Sequence, residues 1–182
     1  MVHRDVRRLV QVFEKLAGLV SEGELHFSTV DAHAIVADVV TAIDVSDEDI
    51  GKHLEVVDVS RDTTPQPVRV DVAQTRKALS YLIWYLVHNS PGDQASVSVS
   101  VGRHGQPEAD DSVWILVGSR SASVPADRLP RLFDPVHMVQ ESLIDVGPAV
   151  SQRLLEAQGG RLRLRQGRHE LSFLAALPVA PP

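Results

Sequence analysis

The spacing of apolar residues is most informative between residues 71 and 91. One side of this segment has apolar residues at i, i+3, i+4 and i+7, the pattern of a helix that faces a core, at Leu79, Leu82, Ile83 and Leu86. Asp71 with Gln74 predicts an N-cap and its capping-box partner, and Ser90-Pro91 predicts the helix end. A neighbouring side carries rings at the same spacing, at Tyr81, Trp84, Tyr85 and His88.

The remaining apolar patterns alternate between helical and strand spacing. They predict helices at 5–20, 32–43 and 149–157, and strands at 25–30, 54–59, 68–70, 95–101, 113–117, 161–165 and 170–177. Valine and serine alternate along 95–101, which predicts a strand with one wet face, whereas 113–117 is apolar throughout and is predicted to be buried on both faces. The order predicts an α/β sandwich, a mixed and mostly antiparallel sheet with helices on one face, preceded by an N-terminal helix.

The first predicted helix has a heptad-like apolar seam. Its positions are Val6, Leu9, Val10, Phe13, Leu16 and Val20. Such a seam can pair with a second copy, giving a homodimer, or pack on the body of the same chain. We therefore expect an N-terminal helical unit over residues 1–24 and the main domain over residues 25–182.

Composition removes several classes of function. The 182 residues carry a net charge of −6, which argues against general nucleic-acid binding. The sequence has no cysteine, so disulfides, thiol catalysis and cysteine-ligated zinc are excluded. No apolar run reaches the roughly 20 residues of a membrane span, so we expect a cytoplasmic protein that does not bind membranes.

Five short motifs, in order, resemble the ATP-binding domain of sensor histidine kinases, the Bergerat fold of the GHKL ATPases. They are Asp71 with the helix after it, Ser90-Pro91, Leu132-Phe133-Asp134-Pro135, Glu156-Ala157-Gln158-Gly159-Gly160 and Leu177-Pro178. Upstream, residues 5–40 resemble the end of a dimerisation helix and its linker. The resemblance covers nearly the whole chain and implies the Bergerat α/β sandwich and a role in two-component signalling.

The motifs that contact nucleotide in that family are altered here. The resemblance puts the expected asparagines at Tyr81 and Tyr85, and the expected D-x-G-x-G at Ser119, Ser121 and Ser123 with the residues between them. The glycine-rich phosphate loop retains Gly147 alone and gains Asp145. The sequence contains no G-x-G, and Asn89 is its one asparagine. We therefore expect a degenerate site that binds no cofactor, with ATP and Mg²⁺ disfavoured and no metal.

Two surfaces allow more than one interpretation. The rings of Tyr81, Trp84, Tyr85 and His88 either fill the space of the nucleotide pocket or form a contact surface. Arg161, Arg163 and Arg165 share one strand face, which is either solvated or a docking strip for an acidic partner.

The sequence therefore favours a histidine-kinase-like signalling protein that has lost ATP binding and acts without catalysis, and it leaves open whether the chain is an enzyme. It would act as an adaptor or regulator by contact with a protein such as a response regulator or a sensor component. One alternative is a histidine phosphotransferase in a phosphorelay, for which His3 is the one candidate acceptor. The other is an active ATP-dependent kinase domain with divergent motifs.

Overall fold

The computed structural model describes residues 24–44, 53–61, 63–102, 112–134, 146–167 and 170–181. In chain order the elements are β1 (Phe27–Asp31), α1 (Ala32–Asp44), β2 (His53–Asp58), β3 (Pro67–Asp71), α2 (Val72–His88), β4 (Gln94–Gly102), β5 (Ser112–Ser119), a 3₁₀ turn (Leu129–Arg131), α3 (Gly147–Glu156), β6 (Arg161–Gln166) and β7 (Leu171–Pro178). This order confirms the predicted succession from residue 25 onward. The predicted helix at 5–20 and its seam lie outside the described residues, so the homodimer stays a prediction.

The strands form two sheets. The main sheet has five strands in the order β2-β4-β5-β7-β6, while β1 and β3 form a separate antiparallel pair. In the main sheet β2 pairs with β4 in parallel, and the other three pairs are antiparallel. The α/β sandwich with a mixed, mostly antiparallel sheet is thus confirmed, although β1 and β3 leave the main sheet.

The strand β4 shows how the valine–serine alternation sets the two faces of the sheet. Val97, Val99 and Val101 are buried, whereas Ser96 is exposed and Ser98 half-buried. Helix α2 packs on the buried side, where Tyr85 contacts Phe173 of β7. We call the side that carries the β4 valines the inner face and the opposite side the outer face.

The prediction that 113–117 is buried on both faces is wrong. Val113, Ile115 and Val117 point to the inner face and are buried, but Trp114 and Leu116 are only half-buried on the outer face. An apolar run does not distinguish a covered strand from one whose second face carries large apolar groups near water.

The two sheets are joined by residues near the end of the described chain. Val68 of β3 forms an isolated bridge with Val179, and Ala180 N donates to Pro67 O at 3.0 Å. This connection ties β3, which leads into α2, to the residues that follow β7. Within the described residues, none of the helices combines the length and the apolar character that a bilayer-spanning helix requires.

Candidate functional site

The start of α2 is fixed by Asp71, whose carboxylate and backbone N–H form hydrogen bonds with three segments of the chain. Asp71 Oδ1 accepts from Gln74 N at 3.0 Å, as an N-cap does, and its Oδ2 accepts from His26 N at 2.9 Å. Asp71 N donates to Gln158 Oε1 at 2.8 Å. The N-cap is therefore confirmed, but the reciprocal half of the predicted capping box comes from Gln158, which follows α3.

Gln158 joins the start of α2 to the end of α3 through buried groups. Its Oε1 also accepts from Thr75 Oγ1 at 3.2 Å, and its Nε2 donates to Leu154 O at 2.9 Å. Thr75 Oγ1 also lies 2.8 Å from Asp71 O, so the one hydroxyl hydrogen is shared between these two acceptors. Thr75 and Gln158 are both buried, so loss of either partner would leave unsatisfied polar atoms in the core.

The pKa of the Asp71 carboxyl lies below its ordinary value. Burial raises this pKa, but hydrogen bonds from the backbone N–H groups of Gln74, His26 and Ala73, together with the His26 charge, lower it by more. Because the folded pKa is lower than the unfolded one, the ionised carboxylate stabilises the fold above the unfolded pKa. This stability is lost as the pH falls through the folded pKa.

We therefore expect urea unfolding of the Asp71→Asn variant to depend less on pH than that of the unchanged protein. The difference should appear below about pH 4, where an unfolded aspartate takes up its proton. All other carboxyls are common to the two proteins and cancel in the comparison. Equal slopes of unfolding free energy against pH in the two proteins would contradict this assignment.

The four rings of α2 do not form one surface. Tyr85 is 4% exposed and meets Phe173 edge-to-face, with ring centroids 5.8 Å apart at 79°. Tyr81 and Trp84 are half-buried and pack against the core, while His88 is exposed, with its Nδ1 2.8 Å from Trp84 O. Tyr85 therefore belongs to the core, whereas Tyr81, Trp84 and His88 reach the surface. That these three form a contact surface stays a prediction.

The first turn of α3 lies directly against α2. A Cβ placed on Gly147 would be 3.0 Å from Tyr81 O, so a glycine permits this close approach of the two helices. Pro148 follows at a position where its missing N–H costs no helical hydrogen bond. The structure therefore brings together Tyr81 and Gly147, two of the positions singled out from the sequence. Asp145 lies outside the described residues.

The segment that follows β5 is tied to the end of α2 by serine hydroxyls. Ser119 Oγ donates to Ser96 O at 2.8 Å and lies 3.1 Å from Ser121 Oγ, which donates to Ser90 Oγ at 3.0 Å. Ser123 N donates to Asn89 O at 3.1 Å. Ser119, Ser121 and Ser123 therefore border α2 at its C-terminal end.

Sequence reasoning missed two residues of this arrangement. Ser90 was noted as the residue before Pro91, yet it is buried and its Oγ donates to Leu86 O at 2.8 Å. Gln158 stood in the motif Glu156–Gly160 without a role of its own. A polar side chain between an apolar helix and two glycines was the available signal for Gln158.

The three arginines of β6 lie away from this region. Arg161, Arg163 and Arg165 are exposed on the outer face, and Leu162 between them is buried on the inner one. Helix α2 with its rings and the three arginines are therefore on opposite sides of the sheet. Among the residues that the structure describes, no group of three or more His, Asp or Glu could hold a metal ion.

The sequence matches no protein-family model and no curated protein. Solved structures share its fold. It resembles the histidine kinase AdeS of Acinetobacter baumannii, with a TM-score of 0.62 and 16% identity, over 96% of this chain and 79% of that one. It resembles the catalytic domain of histidine kinase ThkA with a TM-score of 0.64 and 13% identity, over 85% of this chain and 97% of that one.

A third similar structure holds a nucleotide analogue. Full-length ShkA in complex with AMPPNP matches with a TM-score of 0.67 and 18% identity, over 96% of this chain and 37% of that one. The expectation that this chain uses no cofactor is therefore wrong as drawn, because its fold is one in which an ATP analogue has been found bound. Altered motifs change the groups that a nucleotide would meet, and no described residue shows that binding is lost.

The fold and the order of the sequence motifs both indicate similarity to histidine kinases. The chain has the fold of the catalytic domain of sensor histidine kinases.

Proposed function

We propose that the chain is a signalling domain of the histidine kinase type, which binds an adenine nucleotide and acts on a protein partner in a two-component pathway. The observation that carries the proposal is the arrangement around α2. The serine segment bonds to Ser90, just after the end of this helix, and the start of α3 meets the helix at Tyr81. The same fold holds AMPPNP in ShkA.

The described residues would hold a nucleotide through hydroxyl and backbone groups. The N-terminus of α3 favours an anion near Gly147, although Pro148 contributes no N–H. The hydrogen of the Ser119 hydroxyl is already given to Ser96 O, so this side chain can only accept from a base. The nucleotide would supply a phosphoanhydride, and the chain's own part is to bind and orient it.

A magnesium ion would find few ligands on this side of α2. Tyr81 and Tyr85 present phenol groups where the resemblance places asparagine amides, and Tyr85 is buried against Phe173. Mg²⁺ prefers carboxylate, phosphate and water oxygens. We therefore infer that phosphate and water oxygens complete the coordination of any metal that accompanies the nucleotide here.

Calorimetric titration with ATP tests this proposal. We expect saturable heat with ATP, and an affinity that changes less than about tenfold between Mg²⁺ and EDTA, since neither tyrosine can bind the ion. The Arg153→Glu variant, altered at an exposed position of α3, serves as a control for general changes of charge. No heat with ATP under either condition would refute the nucleotide part of the proposal, and binding that requires Mg²⁺ would refute the assignment of ligands.

A second candidate function is that of an adaptor that works by protein contact without catalysis. The exposure of the arginine strip favours it, because its position on the outer face makes it accessible to a partner irrespective of any nucleotide at α2. Binding of a receiver domain that is the same with and without ATP would support the adaptor over a nucleotide-controlled domain.

A further inference from the structure

Two contacts along α2 mark the ends of the space that the proposed nucleotide would occupy. The start of α3 meets α2 at Tyr81, and the serine segment that follows β5 bonds to Ser90, just after the helix end. At 1.5 Å per residue, these two positions are about 13 Å apart along the helix axis. An extended nucleoside triphosphate has about this length, so phosphates at the N-terminus of α3 place the base at the serine segment.

The serine segment gives its hydroxyl hydrogens to acceptors of the protein itself. Ser119 Oγ donates to Ser96 O at 2.8 Å, and Ser121 Oγ donates to Ser90 Oγ at 3.0 Å. Ser90 Oγ in turn donates to Leu86 O at 2.8 Å. Because a serine hydroxyl has one hydrogen, neither Ser119 nor Ser121 keeps a hydrogen to donate to a base.

The oxygen of Ser119 is also occupied as an acceptor. Ser121 N and Ala122 N each donate to it at 3.3 Å, and Ser119 is 2% exposed. A hydroxyl oxygen accepts two hydrogen bonds, so these backbone N–H groups fill both positions. Ser121 is half-buried, and its oxygen is therefore the one of the pair that a base could reach as an acceptor.

Such a network does not penalise one purine base relative to the other. A binding site rejects a similar ligand strongly when that ligand leaves a buried polar group of the site unpaired. The hydroxyl chain is complete without a ligand, so neither base leaves it unpaired. Adenine offers the N6 amino group to an acceptor such as Ser121 Oγ, and guanine offers its N2 amino group. A neutral hydroxyl also lacks the charge with which a carboxylate would repel O6 of guanine.

We propose that the serine segment makes the nucleotide site indifferent to the purine base, so that the chain binds ATP and GTP with similar affinity. This inference rests on the proposed function and extends its ligand from adenine nucleotides to purine nucleotides. The binding free energy comes from groups that the two nucleotides share. Foremost are the phosphates, which the N-terminus of α3 near Gly147 favours.

Calorimetric titration of the full chain with ATP and with GTP, both in the presence of Mg²⁺, tests this inference. Two variants each gain a carboxylate. Ser121→Asp places it in the serine segment at a half-buried position, and Ser28→Asp makes the same change at an exposed position of β1, as the matched control. Circular dichroism and thermal unfolding establish that each variant is folded.

We expect the affinities of the unchanged chain for ATP and GTP to differ by less than about tenfold. Ser121→Asp should bind ATP more tightly than GTP by about tenfold or more, because its carboxylate accepts from N6 of adenine and repels O6 of guanine. Ser28→Asp should behave like the unchanged chain. If Ser121→Asp does not fold, the two affinities of the unchanged chain decide alone.

Two results would overturn the inference and leave the proposed function standing. One is a difference of more than about tenfold between ATP and GTP in the unchanged chain. The other is equal binding of both nucleotides by a folded Ser121→Asp variant, because the base would then not lie at the serine segment. If neither nucleotide binds to the unchanged chain, the nucleotide part of the proposed function is wrong as well.

Discussion

Replacement of Phe173 by alanine should lower the free energy of unfolding by about 4 kcal/mol, because it removes a ring from the centre of the inner face. Phe173 is fully buried and meets the edge of Tyr85, so its loss removes transfer free energy and leaves a cavity beneath α2. Urea unfolding followed by circular dichroism measures the change. In the same variant the ring of Tyr85 would lose its edge-to-face partner.

Phe27→Ala is the matched control for this variant. Phe27 is 44% exposed on β1 and its ring lies 5.5 Å from the guanidinium carbon of Arg69. Its loss should cost no more than about 1 kcal/mol, as expected for an exposed ring with a single cation–π contact. Equal losses of stability in the two variants would show that the ring of Phe173 is not part of a packed core.

Introduction at position 119 of the aspartate that the resemblance to histidine kinases predicts there should destabilise this chain by about 3 kcal/mol. Ser119 is 2% exposed, and its Oγ donates to Ser96 O at 2.8 Å. A carboxylate cannot donate this bond, so Ser119→Asp would place a buried negative charge against a carbonyl oxygen. The nearby Ser121 N and Ala122 N, each 3.3 Å from Ser119 Oγ, could offset part of this cost.

The Ser119→Ala variant loses the hydrogen bond without gaining a charge, so it distinguishes these two contributions to the loss of stability. It should cost about 1 kcal/mol, the usual net value of one such bond. Thermal and urea unfolding at neutral pH measure both variants. If Ser119→Asp is as stable as the unchanged protein, the serine segment can rearrange to accept a carboxylate, and the hydroxyl network does not fix the local structure.

The sequence predicted the elements that depend on local periodicity. The valine–serine alternation of β4 and the apolar side of α2 each have one period and one buried face, so the pattern alone determines which residues are inside. Asp71 was identified as an N-cap because this role requires only residues close in the chain. The motifs of the resemblance implied the Bergerat α/β sandwich, but the order of strands in its sheet was not predicted.

Contacts between residues that are far apart in the chain were not predictable from local periodicity. The partner of Asp71 N is 87 residues away, at Gln158, and Ser119 bonds to Ser96 of a neighbouring strand. The half-exposed face of Trp114 depends on which strands flank β5 and on where the helices lie. The cofactor expectation was wrong for a related reason, since an altered motif identifies the groups that changed and does not establish that binding is lost.

The strand order has a consequence for the folding of the domain. In the main sheet β7 lies between β5 and β6, although it is the last of the strands that the structure describes. During synthesis β5 therefore keeps an open edge, and β6 has no neighbour in this sheet, until β7 has been made and inserted. Such late, non-local pairing slows folding and leaves an apolar strand edge exposed in the growing chain. Protection of that edge before β7 inserts should decide how much of the newly made protein reaches the native state instead of aggregating.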